Sequence, residues 1–327
     1  MTKIEWVRNP DSSKGEVWNP VTGCTPVSEG CDHCYAKRIH ERFHGLGSFD
    51  TVTFHPERLD LPLRWRKPRT VFVNSMSDLF HDSVDVDFVA KVFAVMAMAP
   101  RHTFQVLTKR PGRMVSILGK DWLARHVASA MFWARGYDAP SELPWPLPNV
   151  WLGASVENQH WADVRIPKLL ETPAAVRFLS CEPLLGPVDL AGWLGTPCGR
   201  CGGIGLVPDP TSASGQANCR CWRRGGRAEG VDWVIVGGES GPGARPMHPD
   251  WARSLRDQCV AAGVPFFFKQ WGEWLPANEP SIPVAPDLRE RAPETLAHGD
   301  YFVRAGKKAA GRELDDRTWD EMPERVS

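Results

Sequence analysis

Three cysteines stand close together near the start of the chain, and Cys24, Cys31 and Cys34 have the spacing C-x6-C-x2-C. A closed structural zinc site normally takes four protein ligands, whereas an iron-sulfur cluster held by three cysteines leaves one iron free to bind a small molecule. The spacing therefore predicts a [4Fe-4S] cluster on these thiols, with its chemistry at the open iron. A zinc knuckle completed by His33 or by a distant ligand is the alternative that the spacing leaves open.

The residues around this cysteine motif indicate a loop followed by a helix. Gly23 and Gly30 allow the tight backbone turns that a loop needs to surround a cluster. An amphipathic helix is predicted to begin at Asp32, and one face of it carries Tyr35, Ile39 and Phe43. Because Tyr35 directly follows the third cysteine, we expect it to contact a bound cofactor.

A second group of cysteines forms a CxxC and a CxC separated by seventeen residues, and it consists of Cys198, Cys201, Cys219 and Cys221. Two such knuckles facing each other predict a tetrahedral zinc site. This zinc clasp would hold together residues 196–229, an inserted loop too poor in apolar residues to fold alone. A second iron-sulfur cluster is the alternative. Five arginines against two acidic residues also make the loop a basic patch, which either touches nucleic acid backbone or is merely solvated.

The composition is that of a globular protein with a sizeable core. With 327 residues and 42% hydrophobic content, the chain can form two average domains or one α/β barrel. Basic and acidic residues both number 39, so no overall charge attracts the chain to nucleic acid or acidic lipid. The longest apolar run, residues 92–99, is too short to span a bilayer, and residues 1–13 lack a signal core. We therefore expect a cytoplasmic protein with no membrane partner, whose cysteines stay reduced.

Short apolar strands alternate with helical stretches along most of the chain. The strands are predicted at 71–73, 103–107, 149–153, 176–180, 233–236 and 264–268, and the helices at 84–98, 110–118, 121–134, 159–165 and 249–262. Ser83 is the predicted N-cap of the first of these helices, and Pro167 is expected to stop the fourth. The alternation predicts an α/β fold with a parallel sheet. We expect residues 1–275 to form a partial or complete (β/α) TIM-like barrel and residues 276–327 to form a C-terminal lid or edge.

Polar side chains follow each predicted strand at its carboxyl end, which is the active face of a (β/α) barrel. Any single one of them has the alternative role of capping the next helix, but six groups in succession favour a functional face. These residues are Asn74, Ser75, Asp78, Thr108, Lys109, Arg110, Ser155, Glu157, Asn158, Cys181, Glu182, Glu239, Ser240, Lys269 and Gln270.

Several blocks of the sequence resemble an uncharacterised family that bacteriophages and bacteria carry and that is described by its three-Cys motif. Besides the cysteines, the blocks are WNPVTG at 18–23, CYA at 34–36, FVNSMSDLF at 72–80, QVLTKRP at 105–111, FLSCEPL at 178–184 and VGGESG at 236–241. That family is in turn similar to the radical S-adenosylmethionine (SAM) superfamily, whose usual motif is C-x3-C-x2-C. The first gap is longer in this chain, and His33 takes the place of an aromatic residue before the third cysteine.

The resemblance implies that the open iron chelates the amino and carboxylate groups of SAM. One-electron reduction would then cleave the sulfonium and give a 5′-deoxyadenosyl radical that takes a hydrogen atom from the substrate. Cations for the carboxylate of SAM would come from Lys109, Arg110 or Lys269. Acceptors for its ammonium group would come from Glu157, Glu182 or Glu239.

Further site residues follow from the same resemblance. The segment 237–240 is similar to the glycine-rich segment of the superfamily that contacts SAM, which assigns Glu239 and Ser240 to cofactor binding. In the superfamily that segment usually follows the second strand, a position that Asn74 and Ser75 hold in this chain. Cys181 is either a hydrogen-atom donor to a product radical or a small buried hydrophobe. The candidates for catalytic residues are Cys181, Glu182 and Lys109.

Three functions are compatible with these patterns. The first is a radical-SAM-type enzyme with a [4Fe-4S] cluster, SAM and Zn²⁺, acting on a nucleoside or nucleic acid and served by an electron donor protein. The second is a non-catalytic, metal-bearing module that binds nucleic acid, and the third is a barrel hydrolase or lyase that carries zinc. The charged ring at the barrel mouth favours an enzyme over the second function. The missing fourth ligand of the cysteine motif favours the first function over the third.

Overall fold

A sheet of seven strands organises the chain, and all six pairings between these strands are parallel. In chain order, which is also their order across the sheet, the strands are β1 Glu16–Trp18, β2 Thr70–Val73, β3 Thr103–Thr108, β4 Val150–Ser155, β5 Val176–Cys181, β6 Trp233–Gly237 and β7 Phe266–Gln270. The predicted α/β class and parallel sheet are confirmed. Strand β1 was not predicted, because three residues at a sheet edge carry too short an apolar pattern.

These observations come from a computed structural model that describes residues 2, 4–44, 48–135, 143–195, 206–208, 212, 216–218, 229–277, 295–297 and 300–324. The helices are α1 Tyr35–His44, α2 Leu61–Arg64, α3 Val86–Met98, α4 Pro111–Leu118, α5 Asp121–Arg135, α6 Gln159–Glu171, α7 Pro249–Ala262 and α8 Lys307–Ala310. Short 3-10 turns cover Glu29–Cys31 and Pro56–Arg58. No helix in this described part of the chain combines the length and apolar character needed to cross a membrane.

Side chains on the outer face of the sheet form the main core with the helices. Alternate residues of β2 and β3 point to this face, among them Val71, Val73 and Val106, and they are fully buried together with the apolar stripe of α3. Both faces of a parallel sheet are covered, so its strands are apolar on both sides. This explains why the strands could be predicted as continuous apolar runs.

The inner face of the sheet carries a second core made of large rings, and this core shows that the sheet is curled. The ring centroid of Trp6 lies 4.8 Å from that of Phe72 on β2 and 6.0 Å from that of Trp233 on β6. These two strands are four steps apart in the sheet, which is roughly 19 Å in a flat sheet. One indole can reach both rings only because the sheet bends around it. The sheet is therefore a half-barrel, and the described residues show no pairing that closes it into a complete TIM-like barrel.

Both ends of the described chain fill the open side of this half-barrel. Trp6 comes from the segment 4–8, where Glu5 pairs with Lys307 at 2.9 Å and Arg8 pairs with Asp320 at 3.0 Å. The backbone N–H of Phe268 on β7 donates to the carbonyl of Trp319 at 3.0 Å. Part of the segment predicted to be a lid or edge thus lies along the free edge of β7.

Three helix boundaries differ clearly from the prediction. Helix α1 begins at Tyr35 and not at Asp32, because a 3-10 turn covers Glu29–Cys31 before it. The N-cap of α3 is Asp85, whose side chain accepts from the backbone N–H of Phe88 at 2.6 Å, and not Ser83. Helix α6 continues through Pro167 to Glu171. The reason is that Ile166 is fully buried on the sheet, and such burial outweighs the one backbone hydrogen bond that a proline removes.

The inserted loop predicted at 196–229 is described only in part. Its two short strands, Leu206–Pro208 and Gln216–Asn218, pair as an antiparallel hairpin. The four cysteines of the predicted zinc clasp, Cys198, Cys201, Cys219 and Cys221, lie outside the described residues.

Candidate functional site

A cavity of about 430 Å³ opens at the carboxyl edge of the sheet, a size typical of sites for small molecules. Cys24, Cys31 and Cys34 all line it, and none of the three is in a disulfide. Most of the polar residues predicted at the strand ends line it too: Asn74, Ser75, Asp78, Thr108, Lys109, Arg110, Ser155, Glu182, Glu239, Ser240 and Lys269. The structure therefore brings the cysteine motif and the charged ring together, as the strand-end pattern predicts.

The cysteine loop is tied to the segment that follows β2 and to the start of α1. The backbone N–H of Gly23 donates to the carbonyl of Met76 at 3.0 Å. Tyr35 lines the cavity, and its hydroxyl donates to the carbonyl of Ser75 at 2.6 Å. The apolar side chain of Ile39 on the same helix is exposed, so this face of α1 is not part of the core.

A buried carboxylate, Glu157, fixes the middle of the cysteine loop. It accepts from the hydroxyl of Ser28 at 2.9 Å and pairs with Arg165 at 2.7 Å and with Lys109. Burial alone would raise the pKa of Glu157, but Lys109 and Arg165 outweigh it and hold this pKa below its ordinary value. The Glu157 side chain is fully buried and does not line the cavity. We therefore correct its predicted place at the cavity: Glu157 supports the loop and Lys109 from outside the cavity.

A second clamp joins the loop to the end of β6. The guanidinium of Arg245 binds both carboxylate oxygens of Glu239 at 2.9 Å. It also donates to the carbonyl of Glu29 at 2.8 Å and to the carboxylate of Asp32 at 3.2 Å. Arg38 of α1 donates to the carbonyl of Ser240 at 3.1 Å. Successive strand ends therefore hold the cysteine loop over the cavity.

The two glycines of the motif are required for different reasons. Gly23 has a φ of +88°, a region that favours glycine, and a Cβ there would lie 2.1 Å from the carbonyl oxygen of Thr51. Gly30 has no such backbone conformation. A Cβ at Gly30 would lie 2.4 Å from a carboxylate oxygen of Glu157, so the glycine is there because the loop passes directly over that buried side chain.

Cys24 lies next to charged side chains that also hydrogen-bond to one another. The guanidinium of Arg110 donates to its sulfur at 3.6 Å and also pairs with Asp78 at 3.4 Å. Asp78 itself accepts from the hydroxyl of Thr108 at 2.8 Å. Burial and the Asp78 carboxylate raise the pKa of the Cys24 thiol to about 11, although Arg110 opposes them.

The cavity also contains charges that come from distant parts of the chain. Glu182 after β5 pairs with Lys269 on β7, and Glu5 pairs with Lys307 on α8. Burial opposes ionisation of Glu5, but Lys269 and Lys307 lower its pKa. Glu5, Trp6 and Lys307 were not predicted as site residues, because nothing in their local sequence indicates that the chain ends meet at the cavity. Among the lining residues, four acidic and four basic side chains balance each other.

Asn74 lines the cavity, with an unusual backbone conformation and a side chain that has no hydrogen-bond partner among the described residues. Its φ is +60°, and only 3% of the residue is exposed. Neither amide atom of the side chain has a hydrogen-bond partner in the described structure. A buried unpaired amide costs roughly 1–3 kcal/mol, so Asn74 retains hydrogen-bonding capacity next to the cavity.

Cys181 does not reach the cavity. Successive residues of a strand point to opposite faces, and Ser180 on β5 lines the cavity, so Cys181 points to the helices. It is fully buried in the outer core, where burial and then Cys259 raise the pKa of its thiol. The structure therefore supports the small buried hydrophobe and corrects the predicted catalytic role of Cys181.

The described residues contain no three His, Cys, Asp or Glu side chains close enough to one another to hold a single metal ion. Cys24, Cys31 and Cys34 are included in this statement. They share a cavity without converging on one point. A cluster of four irons places each thiolate on a different iron, so it needs cysteines that face a common space.

Together, fold and site define an α/β protein with a half-barrel of parallel strands and a cysteine-lined, charge-balanced cavity at the carboxyl edge. The chain belongs to the family described as "Protein of unknown function (DUF5131)", whose model matches residues 1–323. No curated protein and no solved structure matches the chain.

Proposed function

We propose that this protein is a radical-SAM-type enzyme, in which Cys24, Cys31 and Cys34 hold a [4Fe-4S] cluster. The observation that carries the proposal is that all three thiols line the same cavity as the charged strand ends. The resemblance of the sequence blocks to the three-Cys family supports the same function. When bound, the cluster would supply the electron that cleaves SAM and starts radical chemistry.

The charged residues of the cavity suit the amino acid part of SAM. Lys109 and Lys269 are the cations placed to receive a carboxylate, and Glu182 is an acceptor for an ammonium group. Lys269 and Glu182 are already paired with each other, so a zwitterionic ligand can insert its own two charges without leaving either partner unbalanced. Glu239 lines the cavity as well, but Arg245 occupies both of its oxygens.

Neutral polar groups and rings complete the proposed cofactor site. Asn74 offers an unpaired amide donor and acceptor, and Ser75 and Ser240 line the same cavity. Trp6 and Phe72 form an apolar wall that excludes water from the interior of the half-barrel. Exclusion of water protects reactive species from side reactions, which is what radical chemistry requires of a protein. Lys109 and Glu182 remain the candidates for residues that touch the reacting groups.

The remaining parts of the proposal concern the inserted loop and the partners. In the sequence, one cysteine pair comes before the hairpin of Leu206–Pro208 and Gln216–Asn218 and the other pair comes after it. This arrangement supports the zinc clasp. The substrate is proposed to be a nucleoside or nucleic acid, and a separate protein is proposed to donate the electron. A TIM-like character of the half-barrel and a cytoplasmic location belong to the same proposal.

Iron content and SAM cleavage test the proposal directly. Protein purified without oxygen is expected to be brown, to contain about four irons per chain and to form 5′-deoxyadenosine when SAM and dithionite are added. Replacing Cys24, Cys31 and Cys34 together by alanine should remove the iron and the product. Cys181→Ala is the matched control, because its thiol faces the helices, and it should retain both. A colourless protein that contains only zinc would refute the proposal.

A further inference from the structure

We infer that the part of the cavity next to β2 and β3 binds a nucleotide, with its base on Asn74 and its phosphate on Lys109. Two separate observations carry this inference: an excess of positive charge at Lys109 and a buried, unpaired amide at Asn74. Binding itself needs no assumption about the metal. The role of the nucleotide as the substrate rests on the proposed function, which it makes more specific.

The positive charge of Lys109 is only partly neutralised. Its carboxylate partner Glu157 also pairs with Arg165 at 2.7 Å, so one negative charge serves two cations. The Arg165 side chain is only 1% exposed, and a charge buried to this degree needs a partner of opposite sign. Of the two cations, only Lys109 lines the cavity. The uncompensated charge therefore faces the space that a ligand would occupy.

The carboxylates among the described lining residues cannot supply the missing negative charge, because each already has a cation of its own. Asp78 pairs with Arg110 and Glu239 with Arg245, and the lysines paired with Glu182 and Glu5 were described above. An anion from outside the chain would complete the charge balance at Lys109.

Asn74 supplies the neutral half of the site. It lines the cavity while only 3% of the residue is exposed, and its amide has no partner within the described structure. Its backbone N–H donates to the carbonyl of Trp18 at 2.8 Å, which anchors the residue to β1. A carboxamide carries a donor beside an acceptor and can therefore form two hydrogen bonds with the edge of a nucleobase. These bonds would recover the free energy that the buried amide costs unpaired.

The surroundings of Asn74 and Lys109 suit the two ends of one nucleotide. Trp6 and Phe72 line the same cavity, and their ring centroids lie 4.8 Å apart, so the base has an apolar wall to contact. Asn74 directly follows β2 and Lys109 directly follows β3, and these two strands are paired. Neighbouring strands lie about 5 Å apart, so a single nucleotide can reach both residues.

The cofactor of the proposed function matches this site less well than a nucleotide does. SAM carries a sulfonium, an ammonium and a carboxylate, so its net charge is positive, whereas a phosphate monoester carries about −1.5 to −2 charges at neutral pH. Lys269 and Glu182 form a pair of one cation and one carboxylate, which suits the zwitterionic end of SAM. Lys109, whose carboxylate is shared, suits the phosphate.

Calorimetric titration of the full chain, purified without oxygen, tests the site. AMP, GMP, CMP and UMP are titrated in turn, and the monophosphate that binds most tightly is compared with its own nucleoside. The monophosphate should bind at least about tenfold more tightly, because its phosphate forms a charge-assisted contact with Lys109. Absence of binding by all four monophosphates, or equal affinity for the nucleoside, would overturn the inference.

Substitution of Lys109 tests the phosphate contact. Lys109→Gln should lower the affinity for the monophosphate to that for the nucleoside, and Lys109→Arg should retain most of it. The glutamine variant leaves Glu157 and Arg165 paired one to one, so the buried charges stay balanced and the fold should persist. Lys308→Gln is the matched control, because it removes a positive charge from an exposed lysine that does not line the cavity. Equal losses in Lys109→Gln and Lys308→Gln would exclude the contact.

Substitution of Asn74 tests the contact with the base. Asn74→Gly removes the amide and accepts the positive φ of this position without strain. It should weaken binding of the monophosphate and of the nucleoside by the same factor, several-fold in each case. Unchanged affinity for both ligands would show that the amide does not read the base.

A titration in the presence of saturating SAM separates this site from the cofactor site. The affinity for the monophosphate should stay within about twofold, whereas displacement by SAM would assign Asn74 and Lys109 to the cofactor and overturn the inference. A chain that binds the monophosphate but forms no 5′-deoxyadenosine would keep this site and lose the proposed function. A chain that forms 5′-deoxyadenosine but binds no monophosphate would lose this site alone.

Discussion

Glu157 shows how one buried carboxylate supports a site that it does not enter. It neutralises Arg165 and Lys109 and holds Ser28 of the cysteine loop. Removing one partner of such a buried group of charges leaves the others uncompensated, which costs about 3–5 kcal/mol. We therefore expect Glu157→Gln to lower the free energy of unfolding by this amount at neutral pH, as measured by urea denaturation. Glu171→Gln on α6, which removes an exposed pair with Lys168, should change it by less than about 0.5 kcal/mol.

The same residue predicts a pH dependence. Because the pKa of Glu157 is lowered in the folded protein, its contribution to stability is present above the ordinary value of 4.5 and is lost as the pH falls through the folded pKa. The difference in unfolding free energy between wild type and Glu157→Gln should therefore shrink in acid. A difference that stays constant from neutral pH to strongly acidic pH would contradict this assignment.

At the scale of elements, the cysteine loop is held by bonds to strand ends and not by its own secondary structure. Arg245 joins Glu239 to the carbonyl of Glu29 and is only partly exposed. We expect Arg245→Ala to speed hydrogen exchange of the amides at 29–34, measured by mass spectrometry, while the amides of the sheet keep their protection. The exposed pair of Arg64 and Asp60 provides the control, because Arg64→Ala should leave exchange at 29–34 unchanged. Equal exchange in wild type and Arg245→Ala would show that the clamp is dispensable.

The elements also show what the sequence could and could not predict. Strand ends were predictable, because each apolar run stops at a polar residue. The side on which each polar residue lies was harder to predict, since a shift of one residue reverses the face of a strand. Cys181 was misplaced for this reason, as it lies between Ser180 and Glu182, which line the cavity. Glu157 lies beyond the end of its strand, where alternation no longer applies, and only the packing of Arg165 shows that it turns inward.

At the scale of the whole molecule, one indole spans the half-barrel. Trp6 contacts rings on strands from both halves of the sheet, and it is almost fully buried. Removal of a buried tryptophan leaves a large hole, so Trp6→Ala should cost about 3–5 kcal/mol in the free energy of unfolding. Chemical denaturation would measure this loss, with the exposed Val164→Ala as the control that should change little. A loss below about 1 kcal/mol would show that the inner core does not depend on the segment 4–8.

Nothing in the local sequence around residues 4–8 predicts this placement. The segment is short and mixed in character, and its ion-pair partners Lys307 and Asp320 are more than 250 residues away. Contacts over such separations leave no periodic signal, so only the folded chain reveals them.

The pairing of Arg8 with Asp320 and of Glu5 with Lys307 has a consequence for biosynthesis. A ribosome releases the chain from its amino end, so Lys307 and Asp320 emerge long after residues 4–8 and after all seven strands of the sheet. A nascent chain can build most of the seven-stranded sheet while the cavity still lacks one wall. Loading of any metal group that needs a sealed chamber would accordingly have to wait until Lys307 and Asp320 have emerged and paired.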